Sequence, residues 1–95
     1  MNPLDLTGRV ALVTGGNSGI GLGMARGLSE ARAHVTIWGT NADKNSAAVE
    51  SGAAADAAVV DVADEPAVVA AMAALAERHG RLDACFANAG RSLPR

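Results

Sequence analysis

The sequence has few aromatic residues and a single cysteine. Of its 95 residues, 49% are hydrophobic but only 2% are aromatic, with one Trp, one Phe and no Tyr. The core must therefore be built from Ala, Val, Leu and Ile, whose small side chains suit helices packed closely on a sheet. Cys85 has no second cysteine to pair with, so no internal disulfide can form, and a reducing cytoplasm is the simplest setting.

Strong charge and long apolar runs are also lacking. The formal net charge of −2 gives no electrostatic reason to expect binding to nucleic acid or to an anionic membrane. No apolar run reaches the length of a membrane span, and no charged start followed by an apolar stretch indicates a signal peptide. Ninety-five residues make one domain at most, with a modest core.

A glycine-rich stretch directly follows the first apolar, β-branched run. The stretch reads Val-Ala-Leu-Val-Thr-Gly-Gly-Asn-Ser-Gly-Ile-Gly over residues 10–21, and a helical pattern begins at its end. Gly15 allows the chain to leave the strand sharply, because glycine tolerates backbone angles that other residues avoid. Gly19 and Gly21 lack a Cβ, so a diphosphate can approach the backbone and the helix can pack close to the sheet. The helix N-terminus then attracts the phosphates.

Hydrophobic periodicity predicts four strands alternating with three helices. We expect strands at residues 9–14, 34–38, 57–61 and 82–87, and helices at about 19–31, 42–50 and 65–79. This order predicts an α/β fold, a Rossmann-like doubly wound parallel sheet with strand order 3-2-1-4. Ile20, Met24, Ala25 and Leu28 are expected to face the sheet from the first helix, and Val68, Val69, Met72, Leu75 and Ala76 from the third.

Several residues indicate where the helices begin and end. Asn41 and Asp64 are expected N-caps, and Gly80 is expected to close the third helix. Arg32, which follows the first helix, would either adopt a left-handed conformation, at a cost on the order of 1 kcal/mol, or end the helix in another way. His34 is expected at an edge or on the surface, and Trp38 is expected to pack at the end of the sheet rather than stack on a ligand.

Three short motifs at the ends of predicted strands point to a known family. They are Thr-Gly-x-x-x-Gly-Ile-Gly at residues 14–21, Asp61-Val62 after the third strand, and Asn88-Ala89-Gly90 after the fourth. With these motifs the sequence resembles the short-chain dehydrogenase/reductase family over its whole length. Two positions depart from the family pattern: Arg32 replaces a glycine, and Ala87 replaces an asparagine.

The resemblance implies a dinucleotide cofactor, NAD or NADP, and a set of residues that bind it. These residues are Gly15, Asn17, Ser18, Gly19, Ile20, Gly21, Gly39, Thr40, Asn41, Asp61, Val62, Asn88, Ala89 and Gly90. An acid about 20 residues beyond the glycines is typical of NAD enzymes, but this position is Gly39. The absence of a carboxylate there favours NADP slightly, and the choice stays open.

The family's proton-transferring tyrosine and its Tyr-x-x-x-Lys helix have no counterpart in the sequence. No Tyr is present, and the only lysine, Lys44, belongs to the second predicted helix. We therefore expect residues 1–95 to be a dinucleotide-binding half-domain, truncated before the catalytic segment, that contributes no catalytic residue and is inactive alone. The parent protein would be a homo-oligomeric oxidoreductase acting on CH–OH groups or ketones, and the isolated chain would self-associate. Two alternatives are a nucleotide-binding module without chemistry and a fragment that pairs with a complementary half.

Overall fold

The computed structural model describes residues 5–88, which form seven elements. In chain order these are β1 (Val10–Thr14), α1 (Gly19–Glu30), β2 (His34–Gly39), α2 (Ala42–Glu50), β3 (Asp56–Val59), α3 (Glu65–His79) and β4 (Ala84–Ala87). The strands are parallel and lie in the order β3-β2-β1-β4. This arrangement confirms the predicted doubly wound sheet and its strand order.

The register brings the four strand ends to one edge of the sheet. Thr14 pairs with Trp38 of β2 and with Ala87 of β4, and Gly39 pairs with Val59 of β3. We call this the carboxyl edge, and the opposite one, where His34 and Asp56 begin their strands, the amino edge. The loops that carry the glycine stretch and the two other motifs all leave the sheet at the carboxyl edge.

The core consists of two apolar layers, one on each face of the sheet. Val13, Val35 and Ile37 point to one face, where they pack on Ala25 of α1 and Ala48 of α2. Leu12 and Trp38 point to the other face, where they pack on Leu75 of α3 and Val60. Successive side chains of a strand point to opposite faces, so the alternation of the sequence sets both layers. The burial of Trp38, only 3% exposed, confirms its predicted packing role.

The predicted helix ends are confirmed by their caps. The Asn41 side chain accepts a 3.0 Å hydrogen bond from the Lys44 N–H, and Asp64 accepts one of 3.2 Å from Ala67. Gly80 closes α3 in the left-handed conformation, with φ 72°. Arg32 adopts the same conformation after α1, with φ 76°, in place of the glycine that would adopt it without strain.

Some predicted boundaries are wrong by one or two residues. β1 begins at Val10 rather than 9, α1 ends at Glu30 rather than 31, and β2 ends at Gly39 rather than 38. β3 spans 56–59 rather than 57–61, and β4 begins at Ala84 rather than 82. Strand ends depend on pairing with a neighbour: β3 starts where Asp56 meets Thr36 and stops where Val59 meets Gly39. Composition alone does not reveal that register.

The predicted sheet-facing surfaces of two helices are also partly wrong. Ile20 is 77% exposed, because it lies in the first turn of α1, at the end that leaves the carboxyl edge. On α3 the packed stripe contains Val68 and Leu75, whereas Val69 and Met72 are 63% and 37% exposed. Ala76 is exposed too. The apolar stripe of α3 is therefore wider than the surface that the sheet covers. None of the helices within residues 5–88 combines the length and apolarity needed to cross a bilayer.

Candidate cofactor-binding site

The turn between β1 and α1 has the backbone geometry that its glycines predict. Gly15 and Gly19 have positive φ angles, 68° and 57°, a conformation that other residues rarely adopt. The Gly15 N–H donates a 2.7 Å hydrogen bond to the Trp38 carbonyl, so the turn is fixed to the end of β2. The chain thus leaves the sheet abruptly and enters α1 at Gly19.

The glycines of this turn differ in how much space surrounds them. A Cβ on Gly21 would overlap the Gly15 carbonyl oxygen and would lie 2.7 Å from the side-chain nitrogen of Asn88. A Cβ on Gly19 would meet no atom within 4 Å. Gly21 therefore lets α1 pack against the end of β1, while the open space is beside Gly19, at the start of the helix.

The N-terminus of α1 has neither the capping side chain nor the first-turn acidic residue that the other two helices have. Its N-cap residue, Ser18, makes no side-chain capping hydrogen bond, and no acidic residue lies in the first turn. By contrast, α2 and α3 have capping side chains and the acidic residues Asp43 and Glu65 in their first turns. The unpaired N–H groups and the positive end of the helix dipole at α1 favour an anionic ligand.

A buried asparagine that the sequence analysis missed supports the turn. Asn45 of α2 is 4% exposed, and its amide donates hydrogen bonds to the carbonyls of Gly39 and Ala58, of 3.0 and 3.3 Å. Its side-chain oxygen accepts a 2.8 Å hydrogen bond from Asn17. The Asn17 amide is thus engaged in holding the turn. The sequence offers one signal for Asn45: it is a polar residue three positions before Ala48, on the side of α2 that faces the sheet.

Gly39 is glycine because these amides fill the space beside it. A Cβ there would overlap the Asn17 amide and would lie 2.6 Å from the Asn45 side-chain oxygen. No acid can therefore replace Gly39 without displacing the network. Thr40, the next residue, is exposed at the carboxyl edge. Asn41 beside it uses its side-chain oxygen for the cap of α2.

The other two motifs also follow strands at the carboxyl edge. Asp61 lies in the exposed loop after β3, where its carboxylate accepts a 2.9 Å hydrogen bond from the Ala63 N–H, and Val62 is 41% exposed. After β4, the Asn88 N–H donates a 2.9 Å hydrogen bond to the Thr14 hydroxyl, which holds Asn88 beside Gly21. Ala89 and Gly90 lie outside the described residues. The site residues are thus distributed over the four loops that follow β1, β2, β3 and β4 at one edge of the sheet.

Comparison with known proteins agrees with this geometry. The short chain dehydrogenase family profile matches residues 9–95. Gluconate 5-dehydrogenase from Gluconobacter oxydans is 40% identical over 90 residues, which cover 90% of this chain and 35% of that protein. A 3-oxoacyl-[acyl-carrier-protein] reductase from Chlamydia pneumoniae is 35% identical over 91 residues, covering 92% of this chain and 37% of that protein.

A solved structure shows the same architecture. The Pseudomonas aeruginosa RhlG/NADP active-site complex superposes with a TM-score of 0.87 at 39% identity, covering 98% of this chain and 38% of that one. The chain spans roughly a third of the length of the curated relatives it matches. Since the family profile covers nearly the whole sequence and the fold agrees, the chain belongs to the short-chain dehydrogenase family.

Proposed function

We propose that this chain is the cofactor-binding part of an NAD(P)-dependent oxidoreductase that interconverts a hydroxyl group and a ketone. The observation that carries this proposal is the uncapped N-terminus of α1, beside the open space at Gly19. It fits a diphosphate, because the first-turn N–H groups and the helix dipole favour an anion, and a Cβ built on Gly19 would meet no atom within 4 Å. A bound nicotinamide would supply or accept the hydride.

Each motif would bind one part of the cofactor. The backbone of Gly19 and Ile20 would hold the diphosphate, with the exposed Ser18 hydroxyl beside it. The Asp61 carboxylate would accept from the adenine amine, with Val62 alongside, and Gly39, Thr40 and Asn41 would lie against the adenosine ribose. The segment Asn88-Ala89-Gly90 would let the backbone approach the nicotinamide ribose. In this arrangement Gly15, Gly21 and Asn17 shape the site and leave direct contact to their neighbours.

We favour NADP over NAD as the cofactor. The end of β2 is Gly39, which has no room for the carboxylate that would bind unphosphorylated ribose hydroxyls. Of the two charged residues that follow in the first turn of α2, Asp43 and Lys44, the lysine offers a cation to a 2′-phosphate. The similarity to a protein solved with NADP supports the same choice.

Two observations support the proposed chemistry: the names of the relatives, and the lack of a proton-donating tyrosine in residues 1–95. Gluconate 5-dehydrogenase and 3-oxoacyl-[acyl-carrier-protein] reductase are both named for reactions at a hydroxyl or keto group. Reduction of a ketone needs a proton donor within hydrogen-bond reach of the oxygen. With no tyrosine in the sequence, residues 1–95 would bind the cofactor and leave proton transfer to other residues of a larger protein. The single, free Cys85 fits a cytoplasmic setting.

Calorimetric titration of the purified chain with NADP, NAD and ADP tests this function. We expect all three to bind, NADP most tightly, and Gly19→Val to lower each affinity by about tenfold or more. Gly52→Val is the matched control, because Gly52, in the turn after α2, also has a positive φ and open space around it. Equal loss in both variants, or no binding to the unaltered chain, would contradict the proposal. A clear preference for NAD would overturn the cofactor choice alone.

A further inference from the structure

Three potential metal ligands meet at the amino edge of the sheet, away from the glycine turn. His34 is the first residue of β2 and Asp56 the first residue of β3. α3 runs back across the sheet, so its last residue, His79, returns to the same edge. The fold thus brings together three residues that are far apart in the sequence, including both histidines of the chain.

The distances within this cluster suit one ion. Nε2 of His34 lies 3.4 Å from Oδ2 of Asp56, and one potential ligand atom from each residue lies within 4.8 Å of the others. In a tetrahedral site with bonds of about 2.1 Å, ligand atoms are separated by about 3.4 Å. The His34–Asp56 pair already has this separation, and the ligand atom of His79 lies within 4.8 Å of both. The two imidazole centroids are 4.3 Å apart.

One nitrogen of the cluster lacks a partner. Nε2 of His79 is buried and has no hydrogen-bond partner among the described residues. An unsatisfied buried polar atom destabilises a fold, so such an atom usually has an explanation. A metal ion bound to this nitrogen would supply the missing interaction.

The carboxylate of Asp56 is oriented by its neighbours. The Thr36 hydroxyl donates a 2.6 Å hydrogen bond to Oδ1 of Asp56, which leaves Oδ2 directed at His34 and Arg78. A partner that holds a ligating carboxylate in this way commonly accompanies metal sites.

Arg78 competes for the same oxygen. Its guanidinium donates a 2.6 Å hydrogen bond to Oδ2 of Asp56, but its side chain is 66% exposed. An exposed ion pair contributes little free energy, so the arginine can turn into solvent at small cost. Arg78 would therefore weaken metal binding without blocking it.

We propose that His34, Asp56 and His79 form a binding site for a divalent transition-metal ion, with Zn²⁺ as the best match. Two imidazoles and one carboxylate are a ligand set that zinc accepts, with water in the fourth position. A cavity of about 130 Å³ beneath α3, lined in part by Asp56, Arg78 and His79, gives that water room. The ion would fasten β2, β3 and α3 together at the edge opposite the proposed cofactor site, and the two sites are independent.

The test is binding of Zn²⁺ to the purified protein, by calorimetry and by thermal unfolding. We expect one ion per chain and a Tm that rises with Zn²⁺ concentration, because the ion binds the folded state. His34→Gln and His79→Gln should each weaken binding more than about tenfold, whereas Arg78→Gln should strengthen it. Glu77→Gln, which removes an exposed charge next to Arg78, should leave the affinity unchanged.

Two further measurements distinguish loss of the site from misfolding of a variant, and the proposed ligands from the thiol of Cys85. Co²⁺ bound to the unaltered protein should give the intense visible absorption of a tetrahedral site, and Arg78→Gln should increase it at limiting Co²⁺. Cys85→Ser should change neither metal's binding, because the only thiol lies on β4, outside the cluster. Binding that survives loss of both histidines, requires Cys85, or produces no rise in Tm would overturn the proposal.

Discussion

The side chains of Asn17 and Asn45 are joined by a 2.8 Å hydrogen bond, although 28 residues separate them in the sequence. Through this bond the glycine turn is connected to α2 and, by the Asn45 amide, to the carbonyls that end β2 and β3. The loop that would hold the diphosphate and the loops that would hold adenosine are thus positioned by one buried side chain.

Replacing Asn45 with Ala should destabilise the chain by about 1–3 kcal/mol, because it removes the side-chain donor to the Gly39 and Ala58 carbonyls and leaves the Asn17 amide without its acceptor. It should also weaken nucleotide binding. Urea unfolding and NADP titration measure the two effects. Ser46→Ala, at the exposed neighbouring position, should change the free energy of unfolding by less than about 0.5 kcal/mol. Equal results for the two variants would show that the network does not support the turn.

Gly21→Ala should destabilise the chain by about 2 kcal/mol or more, because the added Cβ overlaps the Gly15 backbone, which cannot move aside. Gly23→Ala, two residues further along α1 and facing open space, should instead stabilise it by up to about 1 kcal/mol. Chemical denaturation of the two variants gives the comparison. A loss of stability in Gly23→Ala as large as that in Gly21→Ala would contradict the explanation by overlap with the Gly15 backbone.

Arg32→Gly should stabilise the chain by about 1 kcal/mol, because it relieves a left-handed backbone at an exposed non-glycine residue. The reverse change, Gly80→Arg, places a side chain on the left-handed residue that closes α3 and should destabilise it by a similar amount. Thermal unfolding of both variants tests the pair. Changes of the same sign at the two positions would be incompatible with this explanation.

Lowering the pH should weaken the contact between β1 and the start of β4. Asp83 accepts hydrogen bonds from Arg81 and from the Val10 N–H, which lower its pKa from 3.8 to about 2. Because the folded-state pKa lies below the ordinary value, the ionised form stabilises the fold above that value. This contribution is lost as the pH falls from about 4 through about 2.

Unfolding measured from pH 6 down to pH 2 tests this dependence. Asp83→Asn should lower the free energy of unfolding at pH 6 and make it depend less on pH. In Glu77→Gln the free energy of unfolding should fall with pH as steeply as in the unaltered chain. An Asp83→Asn slope as steep as that of the unaltered chain would exclude Asp83 as the responsible group.

The 95-residue chain should self-associate. Val69 and Met72 are exposed on α3, and β3 and β4 are the outer strands of the described sheet. Exposed apolar surface and unpaired strand edges both favour association. Sedimentation velocity should show species larger than a monomer at high micromolar concentration. Val69→Lys with Met72→Lys should reduce them, and Ala73→Lys, at an exposed small residue, should do so less. A monomer throughout would refute the expectation.

Features set by contacts between residues close in the sequence were predicted correctly, and features that depend on residues distant in the sequence were not. Both bounds of α2 and α3 agree with the prediction. Asn41 and Asp64 cap the first turns through contacts three residues away, and Gly80 ends α3 in the left-handed conformation. The end of β3 was wrong because it depends on pairing with Gly39, about 20 residues earlier. The exposure of Val69 was wrong because the sequence shows which residues are apolar but not how wide a surface the sheet covers.

The candidate site shows the same division. The positive φ angle of Gly15 follows from the motif itself, whereas Gly19 was expected to matter for its missing Cβ and its positive φ is seen only in the structure. Asn45 escaped notice because its importance lies in partners from three other segments, of which only the fold reveals the proximity. His34 was expected at an edge or on the surface, and it begins β2 with a half-buried ring. Its proximity to His79 could not be predicted from the sequence, because it depends on α3 ending at the amino edge of the sheet.

The pairing of β1 with β4 has a consequence for the order in which the chain folds during synthesis. Thr14, at the end of β1, is hydrogen-bonded to Asn88, 74 residues later. A ribosome releases the glycine turn early, but one side of β1 stays unpaired until the last described strand emerges. Contacts this distant in sequence form slowly. The nascent chain therefore leaves one side of an apolar central strand unpaired until Ala84–Ala87 has been synthesised, and a chaperone would be of most use during that interval.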